Sequence, residues 1–486
     1  MLSQELVEKY QVVIGLEVHV QLATRSKLFA PDATSYGKEA NTQVSVITLG
    51  HPGTLPMVNK KAIEYALHMC LACCCEISRT THFDRKNYFY PDLPKGYQIS
   101  QDKAPLGKGG KILVRLSSGL EREILLHRIH LEEDAGKSIH LPNEPETLVD
   151  FNRAGTALIE LVTEPVISSA EEAVACLTEI RKMAMFLSIC DGNMEEGSVR
   201  CDANVSVRLK ESKTLGKKVE VKNMNSFKNL SRAIEFEFER QVTLLEEGKE
   251  VISETRTFDE ARGTTSAMRT KESMNDYRYF PEPDISPIEI SEEWLRQVKN
   301  QLPALPRDYY AKFVHHYELP EYDAGVLTET KELAYYFEKI CELSPHFKAA
   351  SNWIMGPIKS YLNENACEIM DLPISPSILT ELIALVEEGT LSFSIASQKI
   401  FPELLKSPGS SPLALAQKLN LIQEKDVEVL LPIIQEVLME NKLKVVEYKS
   451  GKKGLLGMFM GEVMKKSQGK ADPKLATLKL KELLQN

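Results

Sequence analysis

The first clear strand of the chain reads Leu16-Glu17-Val18-His19-Val20-Gln21-Leu22. Apolar and polar residues alternate through it, so four apolar side chains face one way and Glu17, His19 and Gln21 face the other. Side chains two apart on a strand lie roughly 7 Å apart, close enough to share one ion or one phosphate group. The stretch therefore predicts a sheet with one apolar face and one polar face suited to binding.

Similar alternation recurs through the first 290 residues, at 12–22, 126–134, 158–164, 199–209 and 218–222. Helical patterns interrupt the strands at 169–188, opening with the capping box Ser168-x-x-Glu171, and at 227–247, stopping at Gly248. The strands are not spaced as regular strand–helix–strand units. The pattern thus favours an α+β fold with antiparallel sheets over a doubly wound fold.

Two proline-rich breaks divide the chain, at 281–287 and at 406–412. Strand signals end at the first break, and helical patterns dominate beyond it. We predict three segments: a mixed domain over 1–291, an all-α helical domain over 292–405, and a small helical tail over 412–486.

Charge is unevenly distributed along the chain. The protein has 59 Lys and Arg against 69 Asp and Glu, a formal net charge of −10. Residues 441–486 hold eleven lysines and four acidic residues, a balance of +7, which leaves −17 on residues 1–440. The acidic body excludes a general positive field for nucleic acid. The basic tail predicts either one dedicated polyanion contact or a solvated helical surface.

Four of the nine cysteines lie close together, at Cys70, Cys73, Cys74 and Cys75. The uncharged run around them, 65–75, is far shorter than the ~20 residues of a membrane span, and the first residues lack a secretory pattern. We therefore expect a cytoplasmic protein without a disulfide framework. Helical spacing favours buried thiols, with a zinc site as the alternative, although no second ligand pair follows.

Polar faces rich in carboxylates recur on the later strands. They carry the following side chains: Arg200, Asp202, Asn204 and Ser206; Glu220 and Lys222; Glu160; and, after His130, the acids Glu132, Glu133 and Asp134. A solvated sheet face is the simple explanation. Carboxylates with a histidine instead favour a hard, oxygen-preferring ion such as Mg²⁺ or Mn²⁺, which proteins commonly pair with nucleotide phosphates.

Familiar nucleotide and hydrolase motifs are missing from the sequence. Residues 135–138 resemble the end of a Walker A loop, but Leu131 stands where its first glycine belongs. The glycines at 107–110 lack the third glycine of a dinucleotide fingerprint, and no Gly-x-Ser-x-Gly elbow occurs. Any nucleotide site is therefore of an uncommon design.

Two loops, 84–97 and 276–281, interleave aromatic residues with Arg and Lys. Such loops suit a splayed single-stranded RNA end, whose bases stack on the rings. The alternative is that the aromatic residues anchor a long loop to the core.

Longer motifs run from the first strand to the tail, at 13–20, 83–92, 131–137, 194–198, 200–204, 276–284, 457–461 and 465–469. They closely resemble the B subunits of the glutamyl-tRNA(Gln)/aspartyl-tRNA(Asn) amidotransferase family. The resemblance implies a three-subunit enzyme that uses ATP and Mg²⁺ to convert glutamate or aspartate on misacylated tRNA to the amide. It implies a cradle-like first domain for the chemistry, with helical and tail domains on the tRNA. An amidase A subunit would supply ammonia from glutamine, and a small C subunit would clasp the two.

On the matching positions, the resemblance assigns ion binding and phosphoryl positioning to Glu17, His19, Glu133, Glu160 and Glu220. The resemblance also makes Lys86 a candidate gate on the ammonia path. On charge alone, Arg200, Lys222 and Asn223 are candidate phosphate contacts. His19 acting only to orient another ligand is an alternative. Two other classes of function stay open: a non-catalytic tRNA-binding scaffold and a stand-alone metallohydrolase.

Overall fold

The computed structural model describes residues 2–141, 146–270, 277–423, 427–467 and 470–485. The chain splits into two compact units, Met1–Pro306 and Arg307–Asn486. The bounds of the three predicted segments stay predictions. Asp276, Gln468 and Gly469, which belong to the motifs above, lie outside the described residues. Within the described ranges, no helix is long and apolar enough to cross a membrane.

The first unit combines many strands with five helices among its described residues. The helices are α1 (Gln4–Lys9), α2 (Lys60–Ala72), α3 (Ala170–Phe186), α4 (Phe227–Glu246) and α5 (Glu292–Asn300). The strands are β1 (Tyr10–Gln21), β2 (Glu76–Ile77), β3 (Thr80–Thr81), β4 (Asp84–Asn87), β5 (Tyr97–Ser100), β6 (Gly107–Lys108), β7 (Lys111–Arg115), β8 (Glu121–Glu133), β9 (Lys137–His140), β10 (Thr147–Asp150), β11 (Ala157–Thr163), β12 (Val199–Leu209), β13 (Val219–Lys222), β14 (Glu254–Asp259), β15 (Thr264–Thr270), β16 (Phe280–Pro281) and β17 (Ile288–Glu289).

A ten-stranded sheet lies at the centre of this unit, in the order β15-β14-β13-β12-β1-β11-β8-β6-β2, with β7 also paired to β8. Most neighbouring strands are antiparallel, which confirms the predicted α+β class. One pair, β13 with β14, is parallel. The reason is that α4 connects the two strands as a helical crossover, whereas a tight hairpin would make them antiparallel.

The apolar face of the sheet is buried under helices. Leu16, Val18 and Val20 of β1 are fully buried, and they share one core with the inward residues of α2, α3 and α4. Complete burial of one such side chain stabilises the fold by about 1.5–3 kcal/mol. The alternation at 16–22 therefore orients the strand, and the opposite face is left for polar side chains.

Helix α3 begins one residue later than its predicted cap. Ser169 is the N-cap, and its hydroxyl accepts a hydrogen bond from the Glu172 backbone N–H at 3.0 Å. The Glu172 carboxylate in turn accepts from the Ser168 N–H at 2.8 Å. Glu171 instead accepts from the backbone N–H of Ser117, before β8. The predicted Ser168/Glu171 box is therefore wrong by one register.

The clustered cysteines lie at the end of α2 as predicted for buried helical thiols. Cys70 and Cys73 are fully buried, Cys75 is buried and Cys74 is exposed. Among the described residues, no group of three potential metal ligands includes a cysteine. Burial also raises the pKa of the Cys70 thiol well above its usual range, which keeps it protonated.

The second unit is helical throughout its described residues, as the sequence predicts. Its α-helices are α6 (Pro306–His315), α7 (Glu321–Leu327), α8 (Lys331–Leu343), α9 (Phe347–Trp353), α10 (Lys359–Asn365), α11 (Pro376–Glu387), α12 (Phe393–Ile395), α13 (Phe401–Lys406), α14 (Pro412–Lys418), α15 (Val427–Glu440), α16 (Lys442–Lys449), α17 (Leu455–Lys466) and α18 (Pro473–Gln485). Short π-helical turns occupy Ile354–Ile358 and Ala396–Ile400, and a 3₁₀ turn occupies Ile369–Asp371. The tail helices α15, α17 and α18 enclose a separate apolar core around Ile434, Phe459 and Leu480.

Candidate active site

The polar face of the central sheet brings together side chains from distant parts of the sequence. Strand register places His19 opposite Glu160 of β11 and opposite Arg200 of β12. Glu17, two residues earlier, lies opposite Asp202 of β12. Because these pairs share one face, the carboxylates converge into two groups rather than a uniform solvated surface.

The first acidic group consists of His19, Glu132 and Glu160. One ligand atom from each lies within 4.8 Å of the others. His19 Nε2 is 3.5 Å from Glu132 Oε1 and 3.7 Å from Glu160 Oε2. Glu132 is almost completely buried, and Ser100 Oγ donates to its second oxygen at 3.2 Å.

A buried, cationic histidine lies behind the first acidic group. His130 Nε2 is 3.1 Å from Glu160 Oε2. Burial lowers the pKa of His130, but the Glu160 and Glu132 charges outweigh burial and raise it to about 9. Burial likewise opposes ionisation of Glu160, yet His130 and His19 hold its pKa below the usual range. The group therefore holds ionised carboxylates at neutral pH.

Lys86 lies at the edge of this group among aromatic rings. Its ammonium is 5.0 Å from the ring centre of Tyr277 and 5.9 Å from that of Tyr88. Although burial alone would lower the pKa of Lys86, the charge of Glu132 raises it. Rings and carboxylates thus keep Lys86 a cation in a half-buried position.

The second acidic group consists of Glu17, Asp202 and Glu220, again with ligand atoms within 4.8 Å of one another. Asn204 Nδ2 donates to Glu17 Oε1 at 2.8 Å, and Thr255 Oγ1 donates to Glu220 Oε2 at 2.8 Å. Lys222 Nζ donates to Asp202 and lies 3.0 Å from Glu220 Oε1. Burial, followed by the nearby charge of Glu160, raises the pKa of Glu17.

Glu133 does not join the residues predicted to bind an ion. Its carboxylate accepts from Lys95 and from the Ile99 backbone N–H at 2.9 Å. It lines a small cavity together with Phe29 and Tyr97. The position predicted for Glu133 in the ion-binding group is occupied by its neighbour Glu132, because consecutive side chains on a strand face opposite ways.

Sequence reasoning had a usable signal for Glu132. Leu131 is buried in the apolar core, and period-two alternation places Glu133 on the same side of β8 as Leu131. His130 and Glu132 must then share the polar side. The same rule selects Asp202, which alternates with the buried Cys201 and Ala203. Neither Glu132 nor Asp202 was among the predicted ion ligands.

The three predicted phosphate contacts lie on or beside the same face. Arg200 Nη2 donates to Asp134 Oδ2 at 2.6 Å. Asn223 is exposed, and its side chain donates to Thr257 Oγ1 at 2.9 Å. Lys222 contacts the second acidic group. Arg200 and Lys222 therefore lie beside the acidic groups, whereas Asn223 follows β13 and contacts β14.

The two aromatic loops form one structure. Strand β4 pairs with both β5 and β16, which sets Phe280 opposite Arg85. Arg85 donates to both oxygens of Glu282, at 2.6 and 2.8 Å, and so fastens the loops together. Phe89 and Tyr90 nevertheless remain exposed, at 84% and 59%. The Arg85–Glu282 ion pair thus anchors part of the two loops, while the rings of Phe89 and Tyr90 stay accessible at the surface.

The donor atoms of the two groups fit divalent ions that prefer oxygen. Five carboxylates and one imidazole suit Mg²⁺ or Mn²⁺ better than zinc, which favours sulfur and nitrogen. Glu17 supports this fit, because its half-buried carboxylate has a raised pKa and its hydrogen-bond donor among the described residues is the neutral Asn204 amide. A cation beside it would remove that electrostatic cost.

Known proteins match almost the whole chain. The family model described as GatB/GatE catalytic domain matches residues 12–296, and the model described as GatB domain matches residues 335–484. A curated protein of Geobacter sp. (strain M21), named as the B subunit of aspartyl/glutamyl-tRNA(Asn/Gln) amidotransferase, is 47% identical over 96% of this chain and 97% of its own length. Proteins of the same name from Synechococcus sp. (strain JA-3-3Ab) and Geotalea uraniireducens (strain Rf4) are 47% and 48% identical, with 97% and 96% of this chain covered and 97% and 98% of their own.

Proposed function

Because the chain belongs to the family of aspartyl/glutamyl-tRNA(Asn/Gln) amidotransferase B subunits, we propose that it carries the kinase and transamidation site of such an enzyme. It uses ATP to activate the side-chain carboxylate of Glu-tRNA(Gln) or Asp-tRNA(Asn), and ammonia then forms the amide. The observation that carries the proposal is the pair of acidic groups on one face of the central sheet.

The chemistry requires activation because ammonia does not displace oxide from a carboxylate. A carboxylate oxygen of the aminoacyl group first bonds to the γ-phosphorus of ATP, and ADP leaves. The nitrogen of ammonia then bonds to the acyl carbon, inorganic phosphate leaves, and a proton is lost from nitrogen. Both steps concentrate negative charge on phosphoryl oxygens, so the site must supply positive charge and fixed donors.

The described residues support a division of roles. His19, Glu132 and Glu160 would hold one divalent ion, and Glu17, Asp202 and Glu220 another. Bound Mg²⁺ would offset charge on the transferring phosphoryl oxygens. Among the sequence predictions, Glu17, His19, Glu160 and Glu220 keep this role.

Basic and amide side chains around the acidic groups suit the anionic reactants. Arg200 and Lys222 lie beside the groups, Asn223 follows Lys222 in the chain, and all three would approach phosphate from the β12–β13 side. Lys86 is a cation among rings beside the first acidic group. From that position it can exclude ammonium while ammonia passes, as expected of a gate.

The proposal includes the partners implied by the family. An amidase A subunit would release ammonia from glutamine, a small C subunit would join the two, and misacylated tRNA in the cytoplasm would be the substrate. The exposed Phe89 and Tyr90 suit stacking against the acceptor end of the tRNA.

A substitution at Glu17 tests the proposed function. Glu17→Gln keeps the shape of the side chain and its Asn204 contact but removes the charge. We expect tRNA-dependent ATP turnover of the assembled enzyme to fall by roughly a hundred- to a thousandfold. Glu8→Gln, on the exposed face of α1, is the matched control. Unchanged turnover in the Glu17 variant would favour a non-catalytic tRNA-binding scaffold instead.

The tail lysines allow a second test, of tRNA binding. Lys466 lies 2.8 Å from Glu436 and 2.7 Å from Glu440, whereas Lys465 is exposed. Lys465→Ala should therefore weaken tRNA binding and lower the slope of log K against log salt by about 1. Lys466→Ala should change the slope less, because its charge is already neutralised. Equal slopes for Lys465→Ala and the unmodified protein would mean that Lys465 is ordinary solvated surface.

A further inference from the structure

One lysine forms ion pairs with carboxylates of the second acidic group, whereas no described lysine does so in the first. Lys222 Nζ bridges Asp202 and Glu220, the latter at 3.0 Å. Glu17 completes the same group, with its ligand oxygen within 4.8 Å of the others. The ammonium thus lies against two of the three carboxylates that would coordinate an ion.

The first acidic group is built differently. The ion-pair partners of Glu132 and Glu160 there are the imidazoles of His19 and His130, at 3.1–3.8 Å. Within the described part of the chain, neither Glu132 nor Glu160 forms a lysine ion pair. One of these imidazoles, His19, is itself a potential ion ligand, whereas an ammonium has no lone pair to offer a metal.

We propose that Lys222 is the resident counter-cation of the second acidic group, and that a divalent ion binds there only when Lys222 leaves Asp202 and Glu220. The inference rests on the proposed function, in which both acidic groups hold divalent ions. An ammonium and a divalent ion cannot share these carboxylates, because both compete for the same oxygens and repel each other at contact distance.

Lys222 is partly exposed, and a bound nucleotide would give its ammonium another anionic partner. About a third of its side chain, 35%, is exposed, and it lies on the polar face opposite Thr257 of β14. A nucleotide polyphosphate on that face would offer the displaced ammonium a new anionic partner. Lys222 therefore couples the two events: the second ion binds together with nucleotide, and the lysine moves from carboxylates to phosphate.

The other donors keep the vacated group in shape. Asn204 holds Glu17 and Thr255 holds Glu220, each by a 2.8 Å hydrogen bond that does not involve Lys222. Glu17 and Glu220 therefore stay oriented when the lysine departs, and Asp202 is the carboxylate that exchanges Lys222 for the ion. This separation of the orienting donors from the counter-cation makes the exchange possible without refolding the sheet.

Mn²⁺ titration of the full chain, read by the electron paramagnetic resonance of free Mn²⁺, tests the proposal without any activity measurement. Without nucleotide, the unmodified protein should bind one Mn²⁺ tightly and a second at least tenfold more weakly. A non-hydrolysable ATP analogue should tighten the second site. In Lys222→Met, the second Mn²⁺ should bind at least tenfold more tightly without nucleotide, and the analogue should tighten it less.

Matched variants make the result decisive. Lys217→Met removes an exposed lysine from the same region and should leave both Mn²⁺ affinities unchanged. Lys222→Gln is a second neutral variant, used if Lys222→Met fails to give a native circular dichroism spectrum. An unchanged or weaker second site in the folded neutral variant would overturn the role of Lys222 alone. Failure of the unmodified protein to bind any Mn²⁺, with or without nucleotide, would overturn the proposed function as well.

Discussion

Glu132→Gln should lower tRNA-dependent ATP turnover of the assembled enzyme by roughly a hundred- to a thousandfold, whereas Glu133→Gln should change it less than about tenfold. The two residues are neighbours on β8 and have the same side chain. They differ in the direction that each faces. Glu132 lies 3.5 Å from His19, while Glu133 accepts from Lys95 and the Ile99 backbone N–H.

The physical basis of this contrast is the loss of one anionic ligand from the first acidic group. A glutamine at 132 retains the volume and the Ser100 contact but cannot supply the charge that a divalent ion requires. A glutamine at 133 weakens the ion pair with Lys95, on the other side of the strand. Its main effect should be a loss of stability rather than of phosphoryl transfer.

Mn²⁺ affinity measured on the same two variants separates ligand loss from general damage. Glu132→Gln should weaken the tighter Mn²⁺ site at least tenfold, and Glu133→Gln should leave it unchanged. A larger loss of Mn²⁺ affinity and turnover at 133 than at 132 would contradict the assignment and restore Glu133 as the ligand.

Glu237→Ala should destabilise the first unit by about 3–5 kcal/mol, the usual cost of removing one partner from a buried ion pair. Glu237 is fully buried on α4. Its carboxylate accepts from Arg240 at 2.8 Å and lies 3.1 Å from Arg256 of β14, and Thr265 of β15 donates to it as well. The network joins the crossover helix to the two strands at the edge of the sheet.

The loss of stability arises because Arg240 and Arg256 lose their anionic partner while they remain largely shielded from water. Burial alone would raise the pKa of Glu237, but the Arg240 and Thr265 hydrogen bonds hold it below the usual value. A carboxyl with a depressed pKa in the folded state stabilises the protein above its unfolded pKa. That contribution is lost as the pH falls through the lower, folded pKa.

Urea unfolding followed by circular dichroism measures the effect as a shift in the urea midpoint at which the first unit unfolds. Glu235→Ala, two residues away on the exposed side of the same helix, is the control and should cost less than about 0.5 kcal/mol. The difference between the two variants should shrink as the pH falls from the ordinary glutamate pKa towards the lower folded pKa of Glu237, because the unfolded state is protonated first. Equal transitions for the two variants at pH 7 would show that the buried network contributes nothing to stability.

Local patterns in the sequence were enough for much of the fold. Alternation through 16–22 identified β1, and apolar periodicity identified α3 and α4 within two residues of their ends. These predictions succeeded because strand and helix periods are properties of a short segment and its burial. The start of α3 shows the limit. Ser168/Glu171 and Ser169/Glu172 have identical spacing, and the Glu171–Ser117 contact, across distant sequence, selects between them.

What the sequence by itself determined is the chemistry of this protein: which strands carry carboxylates, which face of each is polar, and which family the motifs resemble. What only the tertiary structure decided is the partnership of those side chains. Strand register sorts six ligands into two groups and places Lys222 within one of them. The strands concerned are β1, β8, β11, β12 and β13. The physical reason is that register depends on hydrogen bonds between segments up to about two hundred residues apart, whereas alternation depends only on neighbours.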